Sequence, residues 1–224
     1  MPRSLSSRQK PRPKRDALLA ATVQVVGEHG LAGTTHRAVT EAAGVPLATA
    51  SYYFSSIGEL IAEALEAFVR QTAEQMVVPD LGALAATVTP ADIGHWYADR
   101  IMELGHIQRL AFYEVLVNAA RSPELVGPAK HALSTYQEAA ASGLRAVGGA
   151  GTDRSARAFL ALSLGFGLLH LADTQDDDDA QLFEGIRDLF LGQELTAAEP
   201  EAVAARITRP AGAVGTAGTA GTAQ

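Results

Sequence analysis

Thr34-Thr35-His36-Arg37-Ala38-Val39-Thr40-Glu41-Ala42-Ala43-Gly44-Val45-Pro46-Leu47-Ala48-Thr49-Ala50-Ser51-Tyr52-Tyr53-Phe54 reads as two short helices joined by a glycine turn. Thr35 is placed to cap the first helix, Ala38, Val39, Ala42 and Ala43 give it a small apolar face, and Gly44 can take the positive φ that ends it. The second helix starts at once and carries polar Thr49 and Ser51 beside aromatic Tyr52, Tyr53 and Phe54. Packed on Phe54, it would offer Thr49 and Tyr53 to a groove. This is the layout of a helix-turn-helix reader of DNA.

The flanks extend the pattern. From Arg15 to Gly30, Leu18, Ala21 and Val25 and then Leu19, Val23 and Val26 follow three- and four-residue spacing, with Gly30 as the stop. Downstream, Ser56-Ile57-Gly58-Glu59 is a capping box, with the Ser56 hydroxyl placed for the Glu59 amide. A fourth helix, Glu59 to Val77, follows, with Leu60, Ile61, Ala64, Leu65, Phe68 and Val69 on one face. The block from Lys14 to Val69 joins a first helix, a Gly30-Leu31-Ala32-Gly33-Thr34-Thr35 entry, an Ala42-Ala43-Gly44-Val45-Pro46 turn, a Tyr52-Tyr53-Phe54 helix end and a capped long helix. In that order it resembles the N-terminal domain of TetR-family transcriptional regulators.

The resemblance implies an all-α chain: a three-helix DNA-binding domain followed by a larger helical domain that binds an effector and dimerises. It implies a homodimeric, sequence-specific regulator, a repressor released from its operator by a small-molecule effector; two identical readers related by a two-fold would select an inverted repeat, and the apolar and aromatic middle helices suit an apolar or amphipathic effector. The DNA-facing residues would be Thr34, Thr35, His36, Arg37, Leu47, Ala48, Thr49, Tyr52 and Tyr53. Of these, Thr49 and Tyr53 lead in the major groove, Tyr52 and Thr35 meet phosphates, and Leu47 or Ala48 touches bases through apolar contact. Two positions depart from the family pattern. Pro46 stands where a capping serine is common, and Ile57 where a phosphate-binding lysine commonly opens the fourth helix.

Charge is distributed in keeping with a DNA-facing end. Residues 1–60 carry seven Lys or Arg against four acids, a net of +3, which leaves the rest of the chain at −10 within a total of −7. The run Arg3, Arg8, Lys10, Arg12, Lys14, Arg15 holds no acid before Asp16, and counterion release would draw such an arm to phosphates. A solvated terminus without a role is the competing reading, and Pro11 and Pro13 argue against helix there. With no cysteine among 224 residues, disulfides, thiol nucleophiles and thiolate metal sites are excluded, and a reducing cytoplasm is compatible. No apolar signal segment follows the basic start.

Four divisions follow: a flexible basic arm, 1–13; the helix-turn-helix domain, 14–60; the helical effector and dimerisation domain, 61–207; and a flexible Gly-Thr-Ala tail, 208–224. Between Val77 and Pro90 the pattern breaks. Helices are then expected over Asp92–Gly105, His106–Arg121, Glu124–Val147, Asp153–Ala172, Ala180–Leu195 and, briefly, Glu199–Ile207. The run Ala158–Ala172 is too short to span a bilayer comfortably and reads as a buried helix, so no membrane is expected as a partner. Its apolar residues lie all round the cylinder, more than one face can use. The resemblance gives this helix and the next to a four-helix bundle with a second subunit, through Phe159, Leu162, Phe166, Leu169, Phe183, Ile186 and Phe190.

An effector pocket is expected among Trp96, Tyr97, Met102, Phe112, Tyr113, Leu116, Tyr136, Phe166 and His170, apolar and aromatic walls with a few polar tips. Most of these side chains would serve any bundle core equally well. No catalytic constellation and no cofactor motif is present. Ser163 sits in a small-x-Ser-x-Gly setting but mid-helix, where a nucleophile elbow needs a preceding strand. Gly148–Gly151 lacks the lysine of a phosphate loop, and Asp176–Asp179 lacks the interleaved glycine of a calcium loop. His95, His106, His131 and His170 lack zinc spacing, leaving only His170 with Asp173, and no metal is expected. A helical enzyme or carrier using the cavity, and sequence-independent DNA compaction, remain as alternative readings.

Overall fold

A computed structural model describes residues 13–76, 89–146, 149 and 151–208. The expected arm, but for Pro13, the break at 77–88 and the tail beyond Thr208 lie outside the described residues. Ten helices run through the described residues: α1 Pro13–Gly33, α2 His36–Ala42, α3 Leu47–Tyr53, α4 Ile57–Gln75, α5 Pro90–Met102, α6 His106–Ala119, α7 Pro123–Ala146, α8 Asp153–Ala172, α9 Asp178–Ala198 and α10 Pro200–Thr208. No strand occurs among them, and the fold is all-α as the pattern implied.

Local signals fix most boundaries. Thr35 accepts the Ala38 amide at 3.1 Å to open α2, and Gly44 closes the turn at φ 64°. Ser56 accepts the Glu59 amide at 3.1 Å as expected. The Glu59 carboxylate, however, takes the Ser55 amide and hydroxyl, both at 2.6 Å, one residue upstream of the usual reciprocal partner. Those two bonds hold the Glu59 pKa below its ordinary value. α5 begins two residues before the expected Asp92, because Thr89 and Asp92 form a capping box around Pro90 in the first turn. α9 likewise starts early, at Asp178, since acids suit a first turn, where the helix dipole is positive. Gly30 has the expected positive φ, 66°, but kinks α1 rather than ending it, and one more turn follows to Gly33.

Three cores stack along the molecule. The first joins Leu18, Leu19 and Val25 of α1 to Val39, Ala50, Phe54, Leu60 and Ala64, and so holds α2 and α3 on α1 and α4. Beside it, Arg15 ion-pairs with Glu63 and lies over the Phe54 ring at 5.4 Å, which ties this member of the basic run to α4 rather than leaving it for phosphate. The second core unites Val26, Ile61, Leu65 and Val69 with Ala111, Phe112 and Val115 of α6 and Leu125 and Ala132 of α7. Residues of α4 thus feed two cores, and the expected division at residue 60 falls inside that helix. The third core holds Tyr97, Ala98, Ala140, Phe159, Leu182 and Ile186 from α5, α7, α8 and α9.

The contact between the first four helices and the rest is not carried by α4 alone. α1 lies along α6 so closely that a Cβ on Gly27 would stand 2.2 Å from the Ile107 carbonyl oxygen. At the kink the Leu31 amide donates to Glu114 Oε1 at 3.1 Å.

Candidate functional site

The reading surface is built by the first core. Because Ala50 and Phe54 are buried against α1, the opposite side of α3 faces out, with Leu47 54% and Tyr52 78% exposed, Ala48 and Ser51 exposed, and Thr49 half-buried. Tyr53 is half-buried against the core and meets Tyr52 edge-to-face at 4.9 Å, so part of its ring serves packing. Sequence reasoning assigned Ser51 no contact; its position one turn after Ala48 puts it on the same exposed side. At the front of α2, Thr35 and Arg37 are exposed and His36 is half-buried, its Nε2 without a hydrogen-bond partner among the described residues. Thr34 requires a correction: it is buried, and its hydroxyl donates to the Gly30 carbonyl at 2.8 Å, closing the end of α1 rather than facing a duplex. Pro46 supplies no side-chain cap to α3, and the Thr49 amide instead donates to the Pro46 carbonyl at 2.8 Å.

A cavity of about 80 Å³ lies between α4, α5, α6, α7 and α8. Tyr97, Phe112, Tyr113 and Tyr136, four of the residues expected for an effector pocket, come together in its wall, and Phe159 joins them. The other five do not line it. Trp96 packs on the third core with Arg100 5.7 Å over its ring, Met102 and Phe166 pack on that same core, Leu116 packs on the second core, and His170 contacts Asp178 at 2.5 Å rather than Asp173. Contact with His170 and a bond from the Gln175 amide lower the Asp178 pKa. Burial pushes the Tyr97 and Tyr136 phenols up to about 12 and raises Tyr113 as well, so all three present neutral hydroxyls. The Tyr113 hydroxyl donates to the Leu164 carbonyl, and Ser163 Oγ donates to the Phe159 carbonyl at 2.9 Å, as befits a packing serine.

Sequence reasoning missed Arg109. It is 2% exposed and lines the cavity, where Nη2 donates to the carbonyls of Ile101, Met102 and Leu104 at 3.0–3.1 Å and so terminates α5. An arginine between Gln108 and Leu110 reads as a surface residue, and only the fold of α5 back onto α6 encloses it. A second cavity, about 460 Å³, lies between α5, α7, α8 and α9; Tyr97, Ala140 and Phe159 line both.

The expected interface residues separate into two groups. Phe159 and Ile186 are buried in the protomer's own third core, which corrects their assignment to a seam; Leu162, Phe166 and Phe183 are half-buried against it, and half-buried Phe190 lines the second cavity. Leu169 is 64% exposed, and with it Leu168, Leu191 and Leu195 are uncovered. α8 has the length and apolar composition to cross a membrane, and only 22% of its apolar window is buried, whereas the sequence reads it as a buried helix. A helix apolar all round gives no phase from which to tell its inward side.

Comparison with known proteins gives two family matches: residues 18–64 match the model described as bacterial regulatory proteins, tetR family, and residues 89–209 match the tetracyclin repressor-like C-terminal domain. Among solved structures, the multidrug binding protein EbrR complexed with ethidium is 27% identical with a TM-score of 0.59, over 79% of this chain and 98% of that one. A TetR-family member from Streptomyces coelicolor A3 is 26% identical with a TM-score of 0.59, over 80% and 99%. A transcriptional regulator from Rhodococcus sp. Rha1, at 23% identity and a TM-score of 0.62 over 84% and 97%, shares the fold. No curated protein gives a significant match.

Proposed function

This chain belongs to the TetR family of bacterial transcriptional regulators, and from that premise we propose that it is a cytoplasmic homodimeric repressor, released from an inverted-repeat operator by a small molecule. The observation that carries this reading is the position of α6. Phe112 and Tyr113 on this helix wall the cavity, while Ile107 and Glu114 on the same helix grip α1 at Gly27 and Leu31. A ligand that displaces α6 therefore displaces α1, on which α2 and α3 are packed. α4 provides a second route, since Thr72 and Met76 line the cavity and Leu60 and Ala64 belong to the core beneath α3. Release requires only that the ligand bind better to the arrangement whose recognition helices are wrongly spaced. The ethidium complex of EbrR supports a ligand site in this fold.

A second copy is the proposed cover for the leucines of α8 and α9, forming a four-helix bundle. Its two-fold axis would present two α3 helices to half-sites about one helical turn apart. Leu47, Ala48, Thr49, Ser51 and Tyr52 would read or touch the duplex, with Thr35, Arg37 and Tyr53 in support. DNA selected from a random pool by the purified protein tests this directly. An inverted repeat is expected, and Thr49→Ala or Tyr52→Ala should weaken its binding by about 1 to 3 kcal/mol with the dimer intact. Selection of a lone half-site, or unaltered affinity in both variants, counts against the reading.

A further inference from the structure

Arg109 carries a charge where burial opposes it, and its pKa is lowered accordingly. The carbonyls at the end of α5 engage Nη2, but Nε is buried with no hydrogen-bond partner among the described residues, an unmet donor that a fold ordinarily avoids. None of the described residues lining the 80 Å³ cavity bears a carboxylate. Asp178 acts on Arg109 from a distance, but its oxygen is engaged by His170 and the Gln175 amide and it does not line the cavity. Beyond the edge-to-face contact of Tyr97 and Phe159, centroids 5.9 Å apart, lies the 460 Å³ space walled by Ile93, Leu144, Phe183, Ile186 and Phe190. The one charged residue among the described residues that line it, Arg187, is exposed and engaged with Asp188 and Glu184.

We propose that this pair of cavities takes a monocarboxylate with an apolar tail: the carboxylate meets the guanidinium of Arg109, and the tail passes the Tyr97–Phe159 contact into the larger space. The assignment rests on the effector reading above and gives that effector a chemistry. A charge-assisted bond to a buried cation discriminates strongly, because a neutral or cationic headgroup leaves the donor unmet or adds repulsion.

Decanoate, decanol and decylammonium, titrated into the full-length protein, separate the possibilities. Trp96 is the sole tryptophan, 5.0 Å from the Tyr97 ring, so its fluorescence reports occupancy, with calorimetry as a second measure. Decanoate should bind about tenfold or more tighter than decanol, and decylammonium weakest of the three. Arg109→Gln should erase the preference for decanoate over decanol. Should that variant fail to fold, the headgroup series on the unaltered protein still decides. Equal affinity for decanoate and decanol, a preference for decylammonium, or no binding of decanoate overturns the proposal. Operator release is read in parallel. Decanoate that binds in the expected order yet leaves operator bound upholds the site and overturns the effector reading, whereas release by decylammonium alone upholds that reading and overturns the carboxylate.

Discussion

Gly27→Ala sets two effects of opposite sign against each other. Inside a helix the substitution gains about 0.8 to 1 kcal/mol from propensity alone. Here the added Cβ would stand 2.2 Å from the Ile107 carbonyl oxygen and 2.7 Å from Ile107 Cγ2, and the closest atom is backbone, unable to swing aside. Overpacking of this kind costs about 1 to 3 kcal/mol, and a backbone obstacle belongs at the upper end. Net destabilisation of about 1 to 2 kcal/mol follows, and a urea midpoint lower by about 0.5 to 1 M. Gly58→Ala is the control, since its Cβ meets only the Ser56 hydroxyl at an ordinary 3.8 Å, and its midpoint should be unchanged or higher. Because relief of the clash moves α1 off α6, Gly27→Ala should also weaken operator binding. A variant as stable as the control, with unaltered operator affinity, would refute the tight α1–α6 contact and the route of coupling built on it.

Glu114→Ala removes the acceptor of the Leu31 amide and should cost about 1 to 2 kcal/mol in chemical denaturation; effector-dependent release should weaken before operator affinity does, as measured by anisotropy with and without ligand. Leu169→Lys places a charge at a residue 64% exposed in the protomer, so helix content should persist while sedimentation shifts from dimer to monomer. Gly165→Leu points into open space within the protomer and should act likewise, and a wild-type monomer at micromolar concentration would refute both. The buried phenols predict alkaline behaviour: between 10.0 and about 12 the unfolded chain releases the Tyr97 and Tyr136 protons while the folded chain keeps them, so stability should fall as pH rises through that window. Near-ultraviolet absorbance should then show their phenolates appearing only as the helices melt.

Local chemistry made the helix-turn-helix legible. Thr35, Gly44 and Ser56 act within four residues of themselves, and each does in the fold what its type and position imply. Nonlocal choices were not legible. Nothing in the spacing of α1 says that its outer side meets α6, and Glu114 gives no sign of its amide partner 83 residues upstream. The cavity is legible in part: Phe112, Tyr113, Tyr97 and Tyr136 belong to any aromatic inventory, but Trp96 and Met102 in that inventory fill a core instead, and Arg109 never entered it. The phase of α8 was hidden by its own apolarity. That left Phe159 assigned outward when it points in.

Phe112, Tyr113 and Glu114 are consecutive, and on a helix consecutive residues point about 100° apart. One addresses the 80 Å³ cavity, the next a carbonyl of α8, the third the kink of α1. Under the proposed effector reading, sensing and actuation occupy separate sides of a single rod, which makes them separable under mutation. Drift or redesign of the cavity wall through Phe112, Tyr136 or Phe159 should then retune which molecule is detected while the Ile107 and Glu114 contacts to α1 stay in place. A biosensor for a new compound would therefore be sought by varying the wall with the α1 grip held constant.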